Sequence, residues 1–394
     1  MKLNHTLAGA GLLCLAAAAP LWAQAGPGDS GGAARAGVGN QATDHTPGAD
    51  GEGGIPTGAP GDDASFNDNG SSDAMQQAYK DYSQKKFSVA TPELQAILKK
   101  SPNTVEAHEM LADIYQRQNQ LPQAIPEMEA VVRLKPKDAS WRDTLGGAYL
   151  KVGAPAKAAG VFQTALIQNP TSADDASKYA YALEQGGKHA EAAAAFEKAA
   201  ALNPKDSQAP LYAGLLYHQV GNDTKAVPYL KSAIALGTTQ KGTAYTALAE
   251  AATAVKQTSD AIVYQTQAAE ANPTDFGTEA NLGIMEQNAG KKADAEEAYR
   301  KTLTLKSDDP KSVAGIQENL AGLLRLDGKL DEAATLLTQA ASVDPTNVSI
   351  QDNLGVIYEK QGKKDLALAA YKQALTLKPG NGVATDGIAR LSKP

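Results

Sequence analysis

His108 and Glu109 open the string H-E-x-x-H, in which two histidines one helical turn apart hold zinc and the glutamate activates water. Ala112 stands where the second histidine is needed, so no such site forms. Gly187-Lys188, Gly290-Lys291, Gly328-Lys329 and Gly362-Lys363 repeat the Gly-Lys step of a phosphate loop. None has the upstream glycine or the following Ser/Thr that would cradle phosphate and magnesium, and all read as turns. Residues 65–70 (SFNDNG) echo a calcium loop but lack its first acidic ligand and its later glutamate. Cys14 is the only cysteine, and no nucleophile–histidine–carboxylate set is visible along the chain. The expectation is a protein without metal, cofactor or catalysis. His108 reads as a packing residue, whereas His218 reads as a contact for a partner.

The elements that would position such contacts come from the rest of the 394 residues. Apolar residues make up 42% and aromatics 5%, with 36 glycines, which points to closely packed helices rather than a broad sheet core. A net charge of −7 argues against nucleic acid or an anionic membrane as partner. Lys2, an apolar run over 7–19, Pro20 and Ala23-Gln24-Ala25 read as a secretory signal peptide cleaved after Ala25, which implies a periplasmic or secreted protein. No later stretch is apolar enough to span a bilayer. Residues 26–70 are rich in Gly, Asp, Ala, Pro and Ser and read as a disordered linker.

From Ser71 a repeat of about 34 residues appears. Pro102, Pro136, Pro170 and Pro204 are spaced by 34, as are Pro345 and Pro379. Nine repeats then begin at Ser71, Val105, Ala139, Ala173, Ser207, Gly242, Phe276, Ala314 and Val348. Position 20 is alanine in all nine, and position 8 is only Ala or Gly. Positions 7 and 24 are mostly large and apolar, and position 15 is mostly glycine. This is the pattern of two antiparallel helices: small residues where the backbones approach, large ones beside them, and glycine past the first helix. Residues 382–394 are read as a capping segment.

Leu145-Gly146, Tyr149, Ala158, Phe162 and Pro170 form the cleanest copy of L-G-x-x-Y, A-x-x-x-F and closing proline, which resembles the tetratricopeptide repeat. The resemblance covers residues 71–381. It implies an all-α, right-handed superhelical solenoid whose first helices line a concave face through positions 2, 5, 6, 9, 12 and 13. On that face the expected partner contacts are an apolar patch of Tyr181, Leu211, Tyr212, Leu215 and His218, and an asparagine ladder of Asn281, Asn319 and Asn353. The ladder is expected to face solvent in the free protein. The partners implied are other proteins or peptides. The leading reading is an envelope scaffold or assembly factor that binds an extended segment of another protein. The alternative is a polysaccharide- or small-molecule-binding subunit of an export or biosynthesis machine.

Overall fold

Many helix starts are set by short polar residues. Asp138 accepts from the backbone N–H groups of Ser140 and Trp141, Ser172 from that of Asp175, and Asn347 from those of Ser349 and Ile350. Each satisfies donors that the first helical turn leaves unpaired. In the computed structural model, which describes residues 69–393, this produces helices throughout and no strand among the described residues.

The helices come in pairs. They are α1 (Asn69–Ser83) with α2 (Phe87–Lys100), α3 (Val105–Arg117) with α4 (Leu121–Leu134), and α5 (Ala139–Lys151) with α6 (Pro155–Gln168). There follow α7 (Ala173–Gln185) and α8 (His189–Leu202), α9 (Gln208–Gln219) with α10 (Asp223–Ala235), and α11 (Lys241–Ala254) with α12 (Thr258–Ala271). The last are α13 (Phe276–Asn288) with α14 (Lys292–Thr302), α15 (Pro310–Leu326) with α16 (Leu330–Val343), α17 (Val348–Lys360) with α18 (Lys364–Leu377), and the single helix α19 (Gly382–Leu391). The expected signal peptide and nearly all of the expected linker lie outside the described residues. The chain divides into two compact units, one ending at Lys188 and containing α1–α7, the other beginning at His189 and containing α8–α19.

Within each unit the core is assembled repeat by repeat. All nine position-20 alanines, from Ala90 to Ala367, have no exposed surface. Position 15 adopts a positive φ of 57° to 77° in every repeat, including Lys85, Asn119 and Lys256, where glycine is absent. Where position 8 is Gly, the position-24 side chain fills the space that a methyl group would take. A methyl group on Gly146 would lie 2.2 Å from Phe162 Cζ, and one on Gly355 would lie 2.4 Å from Tyr371 Cε1. Gly146→Ala therefore sets a helix-propensity gain of about 1 kcal/mol against overpacking of a fully buried ring, worth about 1–3 kcal/mol. The expected net is a loss of up to about 2 kcal/mol in urea unfolding, restored by adding Phe162→Leu.

Two local readings change. The eighth repeat's first helix begins at Pro310, four residues before Ala314, because Asp309 caps it by accepting from the Lys311 N–H and the Ser312 hydroxyl. Gln265, which takes the sixth repeat's position 24, is buried and donates to the Thr278 carbonyl at 2.7 Å, so the amide is satisfied in a column that is otherwise mostly apolar.

Candidate partner-binding face

The first helices of the second unit carry most of the expected contacts. Leu211, Tyr212 and Leu215 on α9 are not exposed: they retain 0%, 3% and 5% of their surface. Tyr212 stacks on Phe196 of α8, with centroids 5.2 Å apart and planes at 24°. The apolar patch is thus corrected to core: Leu211 and Leu215 are buried, and Tyr212 packs against the preceding second helix. Tyr181 lies in the other unit, half-buried on α7.

His218 remains at the surface of the second unit, held between two carboxylates. Nδ1 is 2.5 Å from Asp223 Oδ1 and Nε2 is 3.1 Å from Glu250 Oε2. The bond to Glu250, reinforced by Asp223 and opposed by burial, pushes its pKa up to about 9. The stabilisation is fully present below the unfolded value near 6.5 and is lost as pH rises through about 9. With 28% of the side chain exposed, solvent screening limits it to about 1–2 kcal/mol. Urea midpoints of the wild type should therefore fall between about pH 6 and about pH 10 by more than those of His218→Gln. Equal falls would show that the clamp contributes nothing.

Asn281, Asn319 and Asn353 occupy position 6 on α13, α15 and α17, and all three are half-buried. They are less free than the sequence implied. Asn353 Nδ2 donates to Glu318 Oε1 at 3.0 Å, and the same oxygen accepts from the Ser349 hydroxyl. Asn319 lies beside the hydroxyl of buried Tyr299, which donates to Gln287 Oε1 at 2.6 Å. Asn281 makes no side-chain hydrogen bond among the described residues. Sequence reasoning missed Glu318, the residue that joins α15 to α17. The available signal was a second polar column at position 5, Glu318 followed by Asp352. Burial raises the pKa of Asp352, whose Oδ2 accepts from Asn381 at 2.7 Å and whose Oδ1 has no partner. Beside this row the backbone is bare, for a methyl group built on Gly315 or Gly322 would meet nothing within 4 Å.

His108 is buried, with Nδ1 2.5 Å from Glu127 and Nε2 3.0 Å from the Pro102 carbonyl, which is a packing role. Among the described residues no cluster of His, Cys, Asp and Glu could hold a metal ion, and no helix is long and apolar enough to cross a membrane.

Models described as tetratricopeptide repeat match residues 75–139, 109–173, 178–241 and 353–381, and one described as TPR repeat matches 323–362. The chain belongs to the tetratricopeptide-repeat family. As a tetratricopeptide-repeat protein it is, in general terms, a protein-interaction scaffold. No curated protein matches the sequence. Among solved structures it is similar to the APC/C hetero-tetramer Cut9–Hcn1, with 16% identity over 79% of this chain and 60% of that one at a TM-score of 0.37. It is similar to Naa15/Naa10 bound to HypK, with 14% identity over 82% and 60% at 0.47. A third is Pseudomonas aeruginosa pilF, with 18% identity over 55% and 97% at 0.41. The chain thus spans about 60% of the length of the first two.

Proposed function

We propose that this tetratricopeptide-repeat protein is a non-catalytic scaffold of the cell envelope that holds an extended segment of another protein against α13, α15 and α17. The observation that carries this reading is the row of three position-6 asparagines beside the open backbone of Gly315 and Gly322. An extended segment presents N–H and C=O groups at regular intervals, and an asparagine amide can pair with either. Bare glycine lets that main chain come close. Binding of this kind grips backbone and tolerates many side chains.

Peptides selected from a random library for binding to the full chain should lose affinity when alternate backbone amides are N-methylated and the side chains are kept. Equal affinity of parent and methylated peptides would overturn the reading. The envelope location rests on the charged start, short apolar run and A-Q-A site of residues 2–25. Mass spectrometry of the mature protein is expected to find Gly26 at its start. A retained Met1 or a lipid on Cys14 would refute that assignment.

A further inference from the structure

An open cleft of about 420 Å³ lies between the second helices of repeats two and three, α4 and α6, over the first helix α5. Its floor is Tyr149, and its walls include Glu129 and Val132 on one side and Lys157, Gly160 and Val161 on the other. Tyr149 donates its hydroxyl to Glu129, and Lys157 Nζ stands 5.2 Å from the Tyr149 ring centroid. Gly160 lies at the exposed rim, where an added methyl group would meet nothing within 4 Å.

The same junction occurs two repeats later, within the second unit, and there it is filled. Tyr217, Glu197 and Lys225 take the places of Tyr149, Glu129 and Lys157. Tyr217 donates to Glu197, and Lys225 lies 4.8 Å from the Tyr217 centroid. The occupant is Tyr229, at the position of Val161. Its ring stacks on Tyr217 with centroids 5.9 Å apart and planes at 25°, and its hydroxyl bonds Glu197. Glu197 also accepts from Lys225 at 3.0 Å. Glu129, by contrast, accepts only from Tyr149 among the described residues, and Lys157 has no ion pair there. Repeats two and three therefore keep the ring platform, the acceptor and the cation of a tyrosine-binding junction and lack the tyrosine, with Arg142 lining the cleft where the second unit has Pro210.

We infer that this cleft is a socket for a tyrosine side chain of a partner protein, which would stack on Tyr149 and donate its hydroxyl to Glu129. The socket is on a different set of helices from the asparagine row, so it stands or falls separately from the proposed groove. The ring would gain offset stacking, and the phenol a charge-assisted hydrogen bond. Occupancy would also cover the apolar wall at Val132 and Val161.

The probe is N-acetyl-L-tyrosinamide, titrated into the full chain by saturation-transfer NMR, with N-acetyl-L-phenylalaninamide as the control that lacks only the hydroxyl. A Kd of order 1 mM is expected for the tyrosine probe, the range open to so small a ligand, and binding about 10-fold weaker for the control. Val161→Tyr supplies the missing ring from within, and Gly160→Leu fills the same space from the neighbouring turn. Each should abolish probe binding while the helical circular dichroism is kept. Glu129→Ala should bring the tyrosine probe down to the level of the phenylalanine control. Absence of saturable binding to the wild type, equal binding of the two probes, or undiminished binding to folded Val161→Tyr and Gly160→Leu proteins would each overturn the inference. The comparison of the two probes needs no variant, so it decides even where a substitution unfolds the chain.

Discussion

Replacing Tyr371 by alanine is expected to cost about 3–5 kcal/mol and to release the last three helices while the earlier repeats stay folded. The ring is fully buried on α18 between two glycines. Methyl groups on Gly355 of α17 and Gly387 of α19 would come within 2.4 and 2.3 Å of it. Its hydroxyl donates to Glu359 at 2.7 Å, and Arg390 grips the same carboxylate with two nitrogens at 2.9 Å. Burial, with the Glu359 bond added, holds the phenol far above its usual pKa, and Arg390 holds Glu359 below its own. Alanine removes the ring that both glycines are shaped around. The remaining Arg390–Glu359 pair is half-exposed and worth at most about 1 kcal/mol. Amide exchange should accelerate across α17–α19 and stay unchanged in α9–α12. Tyr371→Phe, which loses only the hydroxyl, should cost about 1 kcal/mol. Cooperative melting of the whole second unit by Tyr371→Ala would contradict the picture of repeats held mainly by their neighbours.

Changing Asn281, Asn319 and Asn353 together to alanine is expected to weaken binding of a library-selected peptide by about 10- to 1,000-fold. Each amide bond to a ligand is worth about 0.5–1.5 kcal/mol net. The three do not contribute equally. Asn281 has no internal bond to break, whereas Asn353 must share its donor with Glu318 and Asn319 already lies beside the Tyr299 hydroxyl. Asn281→Ala alone should therefore leave stability unchanged and carry the largest single share of the affinity. Asn319→Ala should lower stability by about 1 kcal/mol, since it takes a polar neighbour from the hydroxyl of a buried tyrosine. Unchanged peptide affinity in the triple variant would remove the row from the binding face. Thermal melting of each single variant separates lost contacts from lost fold.

Most of the fold could be read from the sequence because each repeat states the same packing problem again. Alanine at position 20 and Ala or Gly at position 8 mark where backbones meet, and a polar cap marks many of the first helices. The site was less legible. Positions 5, 6 and 9 are nominally on one face in every repeat, yet in repeat five Leu211, Tyr212 and Leu215 are covered. For Tyr212 the covering includes a stack on Phe196, a contact between neighbouring repeats that no single column records. The early start of α15 had a visible signal in Asp309-Pro310, a cap followed by proline in the first turn. The coupling of position 8 to position 24 was also written in the chain: Gly146 faces Phe162, Gly283 faces Tyr299 and Gly355 faces Tyr371. Reading it requires comparing columns in pairs.

The short reach of the contacts within each unit has a kinetic consequence. The side-chain bonds that join one repeat to the next, such as Tyr149 to Glu129, Asn353 to Glu318 and Arg390 to Glu359, close loops of only 20, 35 and 31 residues. Loop closure of this size is entropically cheap, and helical proteins built from such local contacts fold in microseconds to milliseconds. No repeat waits for a distant strand to arrive. A chain delivered from its N-terminal end could therefore lay down α1 and α2, then α3 and α4, while later repeats are still extended. Each newly docked pair then offers its open face as the template for the next.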